Sequence, residues 1–183
     1  MADTGGWRRT SARYLFESRW FKLRHDDVTL PDGTPITYTM IEHPGFAIVV
    51  PILPDGQVLL ERLYRYTLQS YSLECPAGGL DGEVPEQAAR RELREETGYL
   101  ATTLTPLASF NGSTGISDEV FHVFVATGLT RGGGPEREPT EQMELVTVPL
   151  AEAVRLAASG GIRDGSSALA ILLAERYLRA DRR

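Results

Sequence analysis

Three carboxylates near the middle of the chain have the spacing of a metal-binding cluster on a helix. Glu92 and Glu96 are four residues apart, and Glu92 and Glu95 are three apart. Side chains at these spacings are neighbours on a helix surface, where like charges repel by roughly 0.2–0.5 kcal/mol per pair. Mg²⁺ takes oxygen ligands and commonly binds carboxylates together with substrate phosphates. The cluster therefore points to a divalent-cation site, and the simpler alternative is a solvated, charged helix face.

The residues around this cluster predict a helix from about Pro85 to Thr97. Pro85 suits the first helical position, where the missing N–H costs no hydrogen bond. The Gln, Ala, Arg and Glu residues that follow are good helix formers. Gly98 stands where a left-handed residue commonly ends a helix. This stop and the glycine-rich turn before the helix favour the metal site over the solvated face.

The rest of the chain alternates between strand and helix patterns. Alternating residues from Thr34 to Ile41 follow a Pro-Asp-Gly turn and predict a β-hairpin. Residues 46–53 form an apolar run typical of a buried strand, in which Pro51 suggests an edge or a bulge. Ser166 or Ser167 suits the N-cap of the last helix, and the first 11 residues are expected to fray. We expect further strands at residues 57–62, 104–110, 121–127 and 145–149, helices at 151–159 and 167–180, and loops at 111–119 and 131–139.

The composition is that of one globular domain. The chain has 183 residues, a formal net charge of −6 and one cysteine, Cys75. The negative charge argues against non-specific nucleic-acid binding, which requires a basic surface, and one cysteine excludes an intrachain disulfide. No signal peptide is visible, and no apolar run reaches the roughly 18 residues of a membrane span. We therefore expect a cytoplasmic protein with no membrane or nucleic-acid partner.

From Glu83 onward the chain resembles the signature of the Nudix hydrolases. Glu83 is followed after seven residues by Arg-Glu-Leu-Arg-Glu-Glu-Thr-Gly, which matches the signature at every fixed position. Two positions depart from it: Tyr99 replaces an aliphatic residue, and Ala77 stands where the first glycine belongs, so that Gly78 lies one residue too close to Glu83. The resemblance implies an α/β fold, a Nudix-type α/β/α sandwich with a mixed sheet and an N-terminal antiparallel strand region. The resemblance also implies a single Nudix domain over residues 1–183, in which we expect residues 1–43 to form the strand region and residues 44–183 the catalytic core.

Shorter motifs in the same order resemble the ADP-ribose pyrophosphatase branch of this family over residues 20–149. The motifs are Asp32-Gly33, His43-Pro44, Tyr64-Arg65-Tyr66, Glu74-Cys75-Pro76-Ala77-Gly78 and Ser117-Asp118-Glu119. The resemblance implies metal binding by the main-chain oxygen of Ala77 together with Glu92, Glu95 and Glu96, with Mg²⁺ or Mn²⁺ as the ion. It also implies that Arg65 and Glu74 line the substrate cleft.

The same resemblance assigns further roles near the expected cleft. Ser117 and Glu119 are candidates for substrate contact, and the alternative is that the acidic pair at 118 and 119 only orients the loop. Trp20, near Tyr14 and Phe16, could stack on a base or contact a second copy, although such aromatics more often belong to a core or sheet face. This branch commonly pairs through its N-terminal strands, so we expect a homodimer.

Hydrolysis of a pyrophosphate bond requires charge neutralisation and a base that removes a proton from water. We expect Arg91 to hold the glutamates by charge-assisted bonds and Glu83 to support the same cluster. The base of this branch precedes the last strand, where Glu141 and Glu144 are the candidates; Glu141 is favoured, and the alternative is that both are exposed charges. The expected reaction is hydrolysis of ADP-ribose to AMP and ribose 5-phosphate.

Two alternatives to this function stay open. Thr114 stands where the branch usually has a proline that is associated with ADP-ribose preference, so a nucleotide-sugar substrate such as GDP-mannose is the second choice. A non-catalytic nucleotide-binding regulator is the third, although such a protein has no need to keep all three glutamates.

Overall fold

The computed structural model describes residues 5–136 and 142–181, which form ten strands, three α-helices and one 3-10 helix. They divide into two compact units: the first contains the residues up to Pro44 and Asn111–Val120, and the second contains Gly45–Phe110 and the residues from Phe121 onward. In chain order the elements are β1 (Arg8–Glu17), β2 (Lys22–Thr29), β3 (Pro35–Glu42), β4 (Phe46–Pro51), β5 (Gln57–Arg65), the 3-10 helix (Tyr66–Leu68), β6 (Ser70–Glu74), β7 (Ala77–Gly79), α1 (Pro85–Thr97), β8 (Tyr99–Asn111), β9 (Val120–Arg131), β10 (Met143–Pro149), α2 (Leu150–Ser159) and α3 (Gly165–Asp181).

The first unit contains an antiparallel sheet in the order β1-β2-β3. The predicted hairpin is confirmed: β2 and β3 pair along their length, and Gly33 closes the turn with a φ of 88° and a 2.9 Å bond from its N–H to the Leu30 carbonyl. A positive φ of this size suits glycine because it has no Cβ. The expectation that the chain frays up to Ser11 is wrong, because β1 begins at Arg8 and Arg8 pairs with Thr29.

The second unit contains a mixed sheet in the order β7-β4-β9-β8 and an antiparallel sheet in the order β10-β5-β6. Strand β4 runs parallel to β9 and antiparallel to β7. The expected edge at Pro51 agrees with the pairing: β4 pairs with β7 only from Phe46 to Ile48, whereas its pairing with β9 continues to Pro51, the last residue of the strand. The missing N–H of proline therefore falls at the end of β4, where the strand has one partner and not two.

Helices cover both faces of the mixed sheet. Successive side chains of β4 point to opposite faces, and the two faces pack in two different cores. Ile48 and Val50 pack with Ala170 and Ile171 of α3 and with side chains of α2. Ala47, on the other face, packs with apolar residues of α1. A strand buried on both faces is a continuous apolar run, as the sequence of β4 is. The predicted α/β/α sandwich with a mixed sheet and an N-terminal antiparallel region is confirmed.

The start of α3 differs from the predicted one. The helix begins at Gly165, and Asp164 acts as its N-cap: Asp164 Oδ2 accepts a 2.7 Å bond from the Ser167 N–H. The expected caps Ser166 and Ser167 are therefore wrong, since both lie inside the first turn. None of the helices formed by residues 5–136 and 142–181 has the length and apolar character needed to cross a membrane.

Candidate active site

Helix α1 has the predicted bounds, and it is placed so that one side is buried against the mixed sheet. Gly98 ends it in the left-handed conformation, with a φ of 74°. Ala88, Ala89 and Leu93 pack in the core beneath it. Glu92 and Glu96 lie at the margin of this buried side and are only 8% and 7% exposed. A solvated, charged face therefore does not describe these two carboxylates.

Glu92 occupies a space that a glycine leaves open. A Cβ atom on Gly78 would lie 2.0 Å from Glu92 Oε1 and 2.5 Å from Oε2, closer than non-bonded atoms approach. Arg91 also holds this carboxylate, with Nη1 at 2.6 Å from Oε1. Gly78 is thus required by the position of Glu92, a relation that spacing along the sequence does not reveal.

Glu96 binds the main chain of the strand that faces it. Its Oε2 atom accepts a 2.9 Å hydrogen bond from the Ala77 N–H, on β7. Two of the predicted metal ligands therefore approach consecutive residues of β7, Glu96 at Ala77 and Glu92 at Gly78. Glu92 and Glu96 therefore lie beside β7, the strand that contains Ala77, whose main-chain oxygen the resemblance implies as a ligand of the same metal.

Arg91 lies at the centre of this group, as the sequence predicts. It donates to Glu83 at 2.9 Å, to Glu92 at 2.6 Å and to Glu95 at 3.3 Å. It also donates to the Gly79 carbonyl at 2.8 Å. Burial lowers the pKa of the guanidinium, but the hydrogen bond to Glu83 and the charges of the other carboxylates outweigh it, so the pKa of Arg91 is raised well above its usual range. Arg91 stays charged and fixes the glutamates relative to β7.

The donor set fits a hard divalent cation. The carboxylates of Glu92, Glu95 and Glu96 and the main-chain oxygen of Ala77 are all oxygen ligands, which Mg²⁺ prefers. Within residues 5–136 and 142–181, no three Asp, Glu, His or Cys side chains surround a single point as a complete metal site. The agreement with Mg²⁺ is therefore one of ligand type.

Arg65 and Glu74 form a bidentate ion pair between β5 and β6. Arg65 Nε lies 3.0 Å from Oε1 and Nη2 lies 2.6 Å from Oε2 of Glu74. The hydrogen bond to Glu74 is the largest cause of the raised pKa of Arg65, and the charge of Glu96 contributes to it. Glu74 is buried whereas about half of the Arg65 side chain is exposed. The arginine therefore presents a fixed positive charge that interacts with Glu96 of α1.

Ser117 and Glu119 lie on a loop of the first unit that is fixed to β3. The Ile41 N–H donates to the Ile116 carbonyl at 2.8 Å, and the His43 N–H donates to Asp118 Oδ1 at 3.0 Å. The Glu119 N–H donates to Ser117 Oγ at 3.0 Å, and His43 Nδ1 lies 3.5 Å from Glu119 Oε2. Asp118 thus orients the loop, and Glu119 is oriented by its neighbours.

Trp20 is not a core residue. It is 60% exposed, and the Arg19 guanidinium lies 4.0 Å from its ring centroid. Tyr14 and Phe16 are also exposed. All three aromatics therefore lie on the surface of the first unit: burial in a core does not describe them, whereas Tyr14 and Phe16, on β1, belong to a sheet face.

Of the two candidate bases, Glu141 and Glu144, the structure describes only Glu144. Glu141 lies outside the described residues. Glu144 is on β10, with its carboxylate 70% exposed and 3.6 Å from Arg62 Nη1. Because neighbouring residues on a strand face opposite sides and Glu61 pairs with Glu74, the Arg62–Glu144 pair lies on the side of the sheet opposite Glu74. The structure does not bring Glu144 to Arg65 and Glu74.

Arg94 and Glu136 are two residues that sequence reasoning did not single out. Arg94 Nη2 donates to Glu95 Oε1 at 3.0 Å, and Nη1 donates to Glu136 Oε1 at 2.8 Å. The Glu136 N–H also donates to the Glu95 carbonyl at 2.8 Å. The signature leaves the position of Arg94 open, and its partner lies 42 residues away, so no local pattern could identify the pair.

Comparison with protein families agrees with this arrangement. The model of the NUDIX domain matches residues 42–169. The chain belongs to the Nudix family. A second model, described as the nucleoside diphosphate sugar hydrolase N-terminal domain, matches residues 7–41 of this Nudix protein.

Named relatives lie in the branch that the motifs indicated. An ADP-ribose pyrophosphatase of Bacillus subtilis (strain 168) is 36% identical over 159 residues, which is 86% of each chain. An ADP-ribose pyrophosphatase of Mycobacterium tuberculosis is 38% identical over 155 residues, covering 83% of this chain and 75% of the relative. A crystal structure of an ADP compounds hydrolase superposes with a TM-score of 0.83 at 26% identity, over 96% of this chain and 95% of the other. The prediction of a Nudix pyrophosphohydrolase that resembles this branch is confirmed.

Proposed function

We propose that this Nudix protein hydrolyses the pyrophosphate bond of a nucleoside diphosphate linked to a sugar, with ADP-ribose as the first candidate. The observation that carries the proposal is the placement of Glu92 and Glu96, two nearly buried carboxylates, against consecutive residues of β7. Arg91 pairs with Glu92 and the Ala77 N–H donates to Glu96, and a bound cation would add to the compensation of these nearly buried charges. The similarity to two ADP-ribose pyrophosphatases supports the choice of substrate.

The protein's own residues would divide the work in the following way. Glu92, Glu95, Glu96 and the main-chain oxygen of Ala77 would hold a divalent cation, Mg²⁺ or Mn²⁺. When bound, the ion supplies positive charge to the diphosphate oxygens and makes a bound water more acidic. Arg91, supported by Glu83, fixes the carboxylates so that they need not reorganise during the reaction.

Residues beyond α1 would bind the substrate and take up the proton. Arg65, oriented by Glu74, offers a charged hydrogen-bond donor to a phosphate oxygen. Ser117 and Glu119 would contact the sugar part, and the exposed ring of Trp20 would stack on the base. Glu141 is our proposed general base, because Glu144 is engaged with Arg62 on the other side of its sheet. Dimerisation through the N-terminal strands and a cytoplasmic location remain predictions, as does the division into a strand region (1–43) and a catalytic core (44–183).

A panel of diphosphate-linked nucleotides tests the proposal. ADP-ribose, ADP-glucose and GDP-mannose are each incubated with the full chain and Mg²⁺, with Mn²⁺, or with a chelator, and the products are separated by ion-exchange chromatography. We expect AMP and ribose 5-phosphate from ADP-ribose, only when metal is present. Thr114 favours GDP-mannose as the second candidate, and GMP release as the faster reaction would establish it. If no nucleoside monophosphate is released from any substrate with either metal, the proposal is refuted and a binding role remains.

A further inference from the structure

The segment Cys75–Gly79, which carries the Ala77 carbonyl, is fixed by contacts on several sides. The Pro76 carbonyl accepts a 2.9 Å bond from the Val49 N–H of β4. The Ala77 N–H donates to Glu96, and the Gly79 carbonyl accepts from Arg91. These three contacts come from β4 and α1. A fourth contact to this segment comes from α3, on the opposite face of the mixed sheet.

That contact is a buried hydrogen bond from the Cys75 N–H to Ser167 Oγ, at 2.9 Å. Ser167 is 1% exposed and Cys75 is 2% exposed, so water cannot substitute for the hydroxyl. A buried donor that loses its only acceptor carries the full cost of its desolvation. The next residue is a proline, which has no N–H. The Cys75 N–H is therefore the last main-chain donor before Ala77.

Ser167 is itself held in position by the start of α3. Its N–H donates to Asp164 Oδ2 at 2.7 Å, and the neighbouring Ser166 Oγ donates to the same oxygen at 2.6 Å. Arg163, just before the helix, reaches the other end of β6 and donates to Ser70 Oγ at 3.2 Å. Residues 163–167 therefore contact β6 at its beginning and the residue that follows its end.

We propose that the start of α3 is a brace for the metal-binding backbone, in which Ser167 positions the Ala77 carbonyl through the Cys75 N–H. This inference rests on the proposed function, since it takes Ala77 as a metal ligand. Ser167 is a positioning residue: it touches neither substrate nor metal. Groups that orient metal ligands typically change metal affinity by about 10- to 100-fold when they are removed. For a group that acts through two peptide units, we expect the lower end, about tenfold.

The test measures Mn²⁺ binding directly, by isothermal titration calorimetry on the full chain after chelator treatment. Ser167→Ala removes the acceptor, and Ser167→Thr keeps a hydroxyl at the same position. Ser166→Ala is the matched control, because the Ser166 hydroxyl bonds only to Asp164 among the contacts described above. We expect Ser167→Ala to bind Mn²⁺ about tenfold more weakly, and the other two variants to stay within about twofold of the wild type.

A general loss of folding stability does not explain weaker Mn²⁺ binding in a Ser167→Ala protein that is folded. Thermal unfolding followed by circular dichroism establishes that each variant is folded at the titration temperature. A folded Ser167→Ala protein with wild-type Mn²⁺ affinity overturns the brace, as does an equal loss in Ser166→Ala. If Ser167→Ala does not fold, Ser167→Cys replaces it, since the thiol has similar shape but is a weak acceptor; wild-type affinity in that variant likewise overturns the proposal.

The same experiment separates this inference from the proposed function. A wild-type protein that binds no Mn²⁺ contradicts the metal site and the brace together. A wild-type protein that binds Mn²⁺ but cleaves no substrate contradicts the hydrolase alone, and the variants still test the brace. When hydrolysis is present, Ser167→Ala should raise the Mn²⁺ concentration for half-maximal rate by about tenfold and leave kcat at saturating Mn²⁺ nearly unchanged.

Discussion

Replacing Gly78 by alanine should displace the carboxylate of Glu92 while leaving the fold intact. The new Cβ would lie 2.0 Å from Glu92 Oε1, so the oxygen must retreat by about 1.4 Å to reach ordinary van der Waals contact. Because the obstructed atoms are the end of a flexible side chain, the carboxylate can rotate away. We expect a stability loss of about 1 kcal/mol, the low end for an overpacked site, and a fall in melting temperature of about 2–4 °C.

The effect on activity should be much larger than the effect on stability. A displacement of about 1 Å in a positioned group can cost about 100-fold in rate, which corresponds to about 2.7 kcal/mol in the activation free energy. The assay is release of AMP from ADP-ribose at saturating Mg²⁺, followed by chromatography, together with calorimetric Mn²⁺ binding. Both should show the loss, because the displaced carboxylate is a proposed metal ligand.

The adjacent glycine provides the control. A Cβ on Gly79 would meet Asp81 Oδ1 at 3.5 Å, an ordinary contact, and neither glycine has a positive φ. Gly79→Ala should therefore keep nearly all activity. The reasoning is refuted if folded Gly78→Ala protein retains more than about a third of wild-type kcat/KM, or if both variants lose activity equally.

Three further predictions address the proposed ligands, the base and the core. Glu96→Gln should abolish nearly all Mg²⁺-dependent turnover yet stay folded, because an amide oxygen can still accept from the Ala77 N–H; near-native turnover would exclude Glu96 as a ligand. At saturating metal, Glu141→Gln should lower kcat by about 100-fold or more and Glu144→Gln should not; if neither does, the base lies elsewhere. Leu93→Ala, at a position 1% exposed, should cost about 2–5 kcal/mol of unfolding free energy in urea titrations, and a cost below about 1 kcal/mol would contradict its place in the core.

The sequence alone was enough to predict the helix that carries the carboxylates. Proline at the first position and glycine at the end act within a single turn of chain, so the predicted bounds of Pro85 and Thr97 agree with the structure. The hairpin was predictable for the same reason, since its turn residues determine the local backbone. The Arg91–Glu95 contact also follows from helical spacing. These features depend on neighbours only a few residues apart.

Tertiary structure decided the features that join distant parts of the chain. Gly78 looked like a misplaced signature glycine, and only the packing of α1 on β7 explains it as the space for Glu92. Ser167 looked like a helix cap, but it bonds to a residue 92 positions away, and Asp164 takes the cap instead. Glu144 is a candidate base by its place before the last predicted strand, and the pairing of β10 with β5 places it beside Arg62, which is distant in sequence. Periodicity and capping rules describe contacts within an element, whereas these partners are chosen by the packing of one element against another.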